Sequence, residues 1–201
     1  MRGHAGARVE LVPADGCHKL DVLFSIAPSA PAATPKRPTF ATNPTACYRT
    51  RMGNTFTSLH CHFVFSTKNR EAWISHEIEE RVWSFLGGIA RENGMKPIRV
   101  GGMPDHIHMA VGLPPTLTVS KALQQIKGGS SKWMKETFPA MGGFAWQDGY
   151  GAFAVSKSTL PTLTVYIENQ REHHRTKTFK EEFVGLLVRH GIDCEERYLW
   201  D

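Results

Sequence analysis

From Thr57 to Phe65 the side chains alternate, with Leu59, Cys61, Phe63 and Phe65 on one side and Ser58, His60, His62 and Val64 on the other. A period of two is the mark of a strand covered on one face. Beyond the turn-like Lys68-Asn69-Arg70 the period becomes helical. Ile74, Ile78, Val82, Phe85 and Ile89 recur at helix spacing behind Ser75 as a candidate cap, and Asn93-Gly94 stops them. A second strand is predicted from Met95 to Val100. The turn Gly101-Gly102-Met103-Pro104-Asp105 leads into a third strand from His106 to Gly112, which Pro114-Pro115 ends. A second helix fits Val119 to Glu136, Trp146 to Ser156 reads as one or two strands around Gly149 and Gly151, and a third helix runs from about Pro161 to Arg175. A last helix, Thr178 to His190, ends at Gly191, a good C-terminal capping residue. The order βαββαβ with added C-terminal helices predicts an α+β fold. Its expected form is a ferredoxin-like sheet with both helices on one face and the other face free for a site or partner.

The patterning starts abruptly. From Met1 to about Arg51 there is no sustained period, and Pro28, Pro31, Pro35, Pro38 and Pro44 stand among Ala, Ser and Thr, a composition that resists core formation. Residues 1–51 are therefore expected to be a loose or non-native extension. Residues 52–201 are expected to be the working domain, opening at Met52. The formal charge of +5 and pI near 9.1 permit an anionic partner without requiring one. Cys17, Cys47, Cys61 and Cys194 are scattered, which supports neither a zinc ribbon nor a disulfide framework and fits reduced thiols in the cytoplasm. The apolar stretch from Val22 to Ala33 is too short and broken to span a bilayer. Neither a membrane segment nor a signal peptide is expected.

Two patterns carry chemistry. In Pro104-Asp105-His106-Ile107-His108-Met109-Ala110-Val111, strand alternation sends Ile107, Met109 and Val111 to one face and both imidazoles to the other. Neutral imidazoles side by side on a rigid strand can share one divalent ion if further ligands come from elsewhere. By spacing alone, two metal-free histidines on a half-exposed strand is the better reading. On the third predicted helix Tyr166 and Gln170 lie at i and i+4, with Asn169, His173 and His174 nearby. A phenol whose ordinary pKa is about 10 becomes a feasible nucleophile at neutral pH beside a metal that polarises a phosphate. Without the strand motif, a half-buried tyrosine with its hydroxyl hydrogen-bonded is the better reading of Tyr166.

With these motifs the chain resembles the single-tyrosine His-hydrophobic-His (HUH) transposases of small insertion sequences, including relatives associated with repetitive extragenic palindromes. The resemblance runs from about Thr57 to Trp200. It is carried by Phe63-Val64-Phe65-Ser66-Thr67-Lys68-Asn69-Arg70, Pro104-Asp105-His106-Ile107-His108, Trp146-Gln147-Asp148-Gly149-Tyr150, Tyr166-Ile167-Glu168-Asn169-Gln170 with His173-His174, and Glu196-Arg197-Tyr198-Leu199-Trp200. It implies a ferredoxin-like catalytic domain in which His106, His108 and Gln170 bind Mg²⁺ or Mn²⁺ and Tyr166 is the nucleophile. It further implies single-stranded DNA with hairpin ends as substrate, a 5′-phosphotyrosine intermediate whose energy allows rejoining without ATP, a homodimer, and no organic cofactor. The extension before Met52 is no part of the family pattern. The rival is a non-catalytic single-stranded nucleic-acid-binding protein derived from a transposase.

His60-Cys61-His62 forms a second His-x-His but lacks the Pro-Asp turn, and His62 is expected to orient a neighbour or line the cleft. Lys127-Gly128-Gly129-Ser130-Ser131-Lys132 is expected to interrupt the second helix, either where a DNA backbone approaches or as a kink or close helix contact. Lys68 and Arg70 are candidate phosphate contacts, and Trp146 and Tyr150 candidate stacking surfaces for unpaired bases. Both aromatic residues are equally candidates for the core. His173 and His174 receive no role from the sequence.

Overall fold

The computed structural model describes residues 56–195 and Leu199. The expected extension over residues 1–51 lies outside them, as does the closing motif apart from Leu199. Four strands form one antiparallel sheet: β1 (His60–Ser66), β2 (Lys96–Met103), β3 (His106–Gly112) and β4 (Gly151–Val155), in the order β2-β3-β1-β4. The helices are α1 (Glu79–Glu92), α2 (Val119–Thr137), α3 (Leu160–Glu168), α4 (Gln170–His173) and α5 (Phe179–Arg189). The strand order and the βαββαβ connectivity through β4 are those of the ferredoxin-like sheet read from the pattern.

Alternation decides which side chains meet the first two helices. Phe63, Phe65, Ile107, Met109 and Val111 face α1 and α2, where Val82, Leu86, Ile89, Leu123, Ile126 and Met134 complete a buried cluster. Each such side chain contributes roughly 1.5–3 kcal/mol through its removal from water. The helices come close at Gly129, where an added Cβ would sit 3.2 Å from Ile89 Cδ1. Beside that contact Phe85 stacks on Trp133 with centroids 4.0 Å apart.

The opposite face departs from expectation, for it is covered. Leu163 and Ile167 of α3 pack on Ala110, and Phe179, Leu186 and Leu187 of α5 pack on Val64 and Phe153. These apolar residues would otherwise face water. Gly101 of β2 makes the approach of α3 possible, since a Cβ there would lie 2.9 Å from both Cγ2 and the carbonyl oxygen of Ile167.

Other boundaries shift for local reasons. The single helix expected from Pro161 to Arg175 is broken at Asn169 (φ −97°, ψ 23°) into α3 and α4. Arg171 ties the second piece to Glu79 at the start of α1 through a 2.6 Å ion pair. Only Gly151–Val155 of the fourth-strand region pairs continuously, with Trp146 bridging to Thr67 in isolation. Between them the carbonyls of Gln147, Asp148 and Gly149 turn toward the Lys127 ammonium instead of a ladder partner. The expected interruption of α2 is absent, because Gly128 and Gly129 stay helical, and Gly129 serves close packing against α1. Ser75 is a turn acceptor ahead of α1, taking the N–H groups of Ile78 and Glu79, and not its cap.

Candidate metal and tyrosine site

The site lies between the sheet and the helices that close its second face. β3 delivers His106 and His108, both buried, on the side opposite the core residues Ile107, Met109 and Val111. Each imidazole is fixed through Nδ1. His106 Nδ1 bonds Asp105 Oδ1 at 2.7 Å, and His108 Nδ1 lies 2.9 Å from His62 Nε2. His62, opposite Ala110 on β1, is thus an orienting neighbour, as expected of it. Burial pushes the His62 imidazole well below its ordinary range, reinforced by His108. Burial likewise lowers His108 to about 4, against the pull of Glu182. Both rings are therefore neutral at pH 7, the state in which a ring nitrogen can bind a cation.

α3 places Tyr166 over this pair, its ring edge-on to His108 with centroids 5.7 Å apart. The phenol hydroxyl donates to the carboxylate of Glu182, which arrives from α5. Burial, and then the Glu182 charge, raise the Tyr166 pKa above its ordinary value. The phenol thus holds its proton in the absence of a cation. Gln170 is buried below, donating from Nε2 to Glu182 Oε1 and to the Tyr166 carbonyl at 3.3 Å each, with Oε1 3.1 Å from His174 Nε2. Tyr166, His106, His108 and Gln170 therefore meet around one point within one chain.

At that point stands Glu182, which the sequence reading passed over. Its Oε2 lies 3.3 Å from His108 Nε2, 3.2 Å from His174 Nε2 and 3.8 Å from His106 Nε2, while Oε1 is 3.4 Å from His173 Nε2. Burial works to raise the Glu182 pKa, but the His108 and His174 imidazoles beside it, with the Tyr166 hydroxyl, hold it well below the usual carboxylate range. Burial also opposes charge on His174, and there Glu182 outweighs it and raises the pKa. One signal pointed to Glu182. On α5 it shares the buried stripe of Phe179 and Leu186 at i−3 and i+4, where a carboxylate without a partner would be costly.

A cation fits this place by two observations. Ligand atoms of His106, His108, His174 and Glu182 all lie within 4.8 Å of one another. His106 Nε2, His108 Nε2 and Glu182 Oε2 are buried without a hydrogen-bond partner, and buried polar atoms rarely remain so.

The remaining candidates are dispersed. Arg70 and Tyr150 line a cleft with Asn69, Gln147 and Phe179, while Lys68 is exposed just beyond the end of β1. Tyr150 is 42% exposed, whereas Trp146 is buried, with Nε1 donating to Ser130 and its ring edge-on to Phe65. Lys127 gives its ammonium to the three carbonyls that shape the turn before Tyr150, and Lys132 is exposed 3.9 Å from Glu136. No helix among the described residues is long and apolar enough to cross a membrane.

Comparison with known proteins gives concordant matches. The family model described as "Transposase IS200 like" matches residues 55–170. The chain is 28% identical over 119 residues to the ISDra2 transposase TnpA of Deinococcus radiodurans, covering 57% of this chain and 85% of that protein. It is 29% identical over 119 residues to a transposase for insertion sequence element IS200 from Salmonella typhimurium, covering 57% of this chain and 78% of the relative. Among solved structures, one of a protein from Deinococcus radiodurans aligns with a TM-score of 0.48 and 29% identity, over 58% of this chain and 94% of that one.

Proposed function

Because the chain belongs to the family of IS200-like transposases, we propose that it cleaves and rejoins single-stranded DNA by transesterification at Tyr166. The observation that carries this reading is the meeting of the Tyr166 hydroxyl with the Glu182 carboxylate that the unpaired Nε2 atoms of His106 and His108 also face. A nucleophile and a cation-binding pair converge on a single point.

In the proposed reaction Tyr166 Oη forms a bond to the scissile phosphorus while the bond from phosphorus to the 3′ oxygen breaks. The phenolic proton passes by way of its Glu182 Oε1 hydrogen bond to water, and the 3′ oxygen leaves as a hydroxyl after taking a proton from water. A 5′-phosphotyrosine remains, and attack on it by a 3′-hydroxyl breaks the bond from phosphorus to Tyr166 Oη, frees the phenol and restores the phosphodiester without ATP. His106 and His108, with Gln170 beside them, would hold Mg²⁺ or Mn²⁺. Such an ion supplies positive charge that polarises the phosphate and offsets the raised pKa of the phenol. Asp105 and His62 keep both Nε2 lone pairs aimed inward, as partners on the far ring nitrogen do at metal sites.

The substrate in this reading is DNA with hairpin ends, processed in the cytoplasm by a homodimer. Lys68, Arg70 and Lys132 are the proposed phosphate contacts and Tyr150 the proposed stacking surface. Lys127 and Trp146, held as they are by the turn and the core, would serve by shaping the surface that carries Tyr150. The test is incubation with hairpin single-stranded DNA from authentic element ends and Mg²⁺ or Mn²⁺. The parent should yield a covalent protein–DNA adduct and Tyr166→Phe none. A parent that binds such DNA without ever forming the adduct would be the non-catalytic binding protein instead.

A further inference from the structure

We infer that the cation site is wider than the strand pair: His174, through Nε2, and Glu182, through Oε2, are ligands alongside His106 and His108. Three imidazoles and one carboxylate then select first-row transition ions over Mg²⁺. The inference rests on the metal-dependent reading above and specifies its ligand set.

The direction of the ring hydrogens carries it. His174 Nδ1 lies 2.8 Å from the Lys177 carbonyl oxygen, which can only accept, so this nitrogen bears the hydrogen. His106 Nδ1 faces the Asp105 carboxylate at 2.7 Å and bears one for the same reason. His108 Nδ1 faces Nε2 of the buried His62 at 2.9 Å, an arrangement in which it can donate to that ring in turn. In the neutral rings of His106 and His174 the Nδ1 hydrogen is thus spent outward and Nε2 presents a lone pair inward, as His108 Nε2 does when its Nδ1 donates to His62.

What those lone pairs meet is another acceptor. Glu182 Oε2 stands 3.2 Å from His174 Nε2, 3.3 Å from His108 Nε2 and 3.8 Å from His106 Nε2, and Gln170 Oε1 is 3.1 Å from His174 Nε2. Acceptors crowded together without a donor repel, and burial removes the water that would separate them. Extra protons or one cation can reconcile them. A cation satisfies all three nitrogens and the carboxylate oxygen at once, while a proton serves one pair.

The donor types determine the ion. Mg²⁺ prefers oxygen ligands and retains its waters, whereas imidazole nitrogen favours Co²⁺, Zn²⁺ and their neighbours, with Mn²⁺ between the two groups. Glu182 has a second task, since Oε1 holds the Tyr166 hydroxyl and the Gln170 amide. One carboxylate would therefore register the nucleophile against the ion.

Titration calorimetry of the full chain with Mn²⁺, Co²⁺ and Mg²⁺, together with the visible absorption of the Co²⁺ form, tests this without reference to activity. Glu182→Ala and His174→Ala should each weaken Co²⁺ and Mn²⁺ binding at least about tenfold and alter the Co²⁺ spectrum. The parent should bind Mg²⁺ more weakly than Mn²⁺ by a similar factor. Circular dichroism reports folding, and Glu182→Gln, which keeps the shape of the side chain, replaces Glu182→Ala if that variant does not fold. Parent-like Co²⁺ affinity and spectrum in folded His174 and Glu182 variants would overturn the inference. If His106→Ala abolishes binding while those variants retain it, only this inference falls. If the parent binds no divalent ion at all, the metal-dependent reading falls with it.

Discussion

The two faces of the sheet are built from alternate residues of the same strands, yet they do opposite things. On β3, Ile107, Met109 and Val111 enter a continuous apolar layer, while the intervening His106 and His108 enter a pocket of imidazoles, a phenol and a carboxylate. The first face is closed by α1 and α2, whose burial supplies stability. The second is closed by α3 and α5 through two small apolar clusters that leave buried polar atoms unpaired between them. The apolar layer behind the strand fixes the backbone from which His106 and His108 reach into the polar layer in front.

The largest expected effect breaks the comparison if it fails. Phe63→Ala, in the fully buried apolar layer, should lower the unfolding free energy by about 3–5 kcal/mol in a denaturant titration. Tyr166→Phe on the other face removes one hydroxyl and its hydrogen bond to the charged Glu182 carboxylate, a smaller expected cost of about 1.5–3 kcal/mol. That smaller cost should accompany complete loss of the covalent adduct. If Tyr166→Phe destabilised as much as Phe63→Ala, the division of labour between the faces would be false.

A second change sharpens the comparison where the faces are joined. Gly101→Val puts a side chain where the Ile167 carbonyl and Cγ2 stand 2.9 Å from the position of a Cβ. Relief requires α3 to lift from β2, at an expected cost of about 1–3 kcal/mol. Tyr166 travels with α3, so adduct formation should slow by more than the stability loss explains. Measuring adduct rate and urea midpoint on the same preparation separates the two. Parent-like adduct rates would show that the position of α3 does not govern the site.

How much of this was legible depended on distance along the chain. The strand His106–Gly112, its two-faced alternation and the βαββαβ order follow from local periods, and local backbone geometry keeps them. Tyr166 and Gln170 stayed neighbours despite the break at Asn169, because one turn of chain still connects them. His174 and Glu182 were not legible as site residues, since only the folding of α5 onto Val64 and Phe153 brings Glu182 to β3. The covering of the second sheet face is the same tertiary event seen from further away. Lys127 shows the same dependence on tertiary contact, for the ammonium of this candidate DNA contact is used by main-chain carbonyls 20 to 22 residues distant.

The smallest expected effect lies where α5, the carrier of Glu182, begins. Thr178 caps that helix, its Oγ1 accepting from the Glu181 N–H at 3.3 Å while Glu181 Oε2 accepts from the Thr178 N–H at 2.8 Å. Such a reciprocal box satisfies amide groups that the first helical turn leaves without partners. Thr178→Ala should therefore cost about 1 kcal/mol of stability, visible as a small drop in Tm. Its value lies in what it leaves alone, because the apolar layer under α1 and α2 does not touch Thr178. If α5 closes the polar face as a separable element, amide exchange in α5 should quicken while exchange in β1 and β3 keeps the parent rate. Equal acceleration in the strands would mean that the two faces open together, and that the polar face is no less a part of the cooperative core than the apolar one.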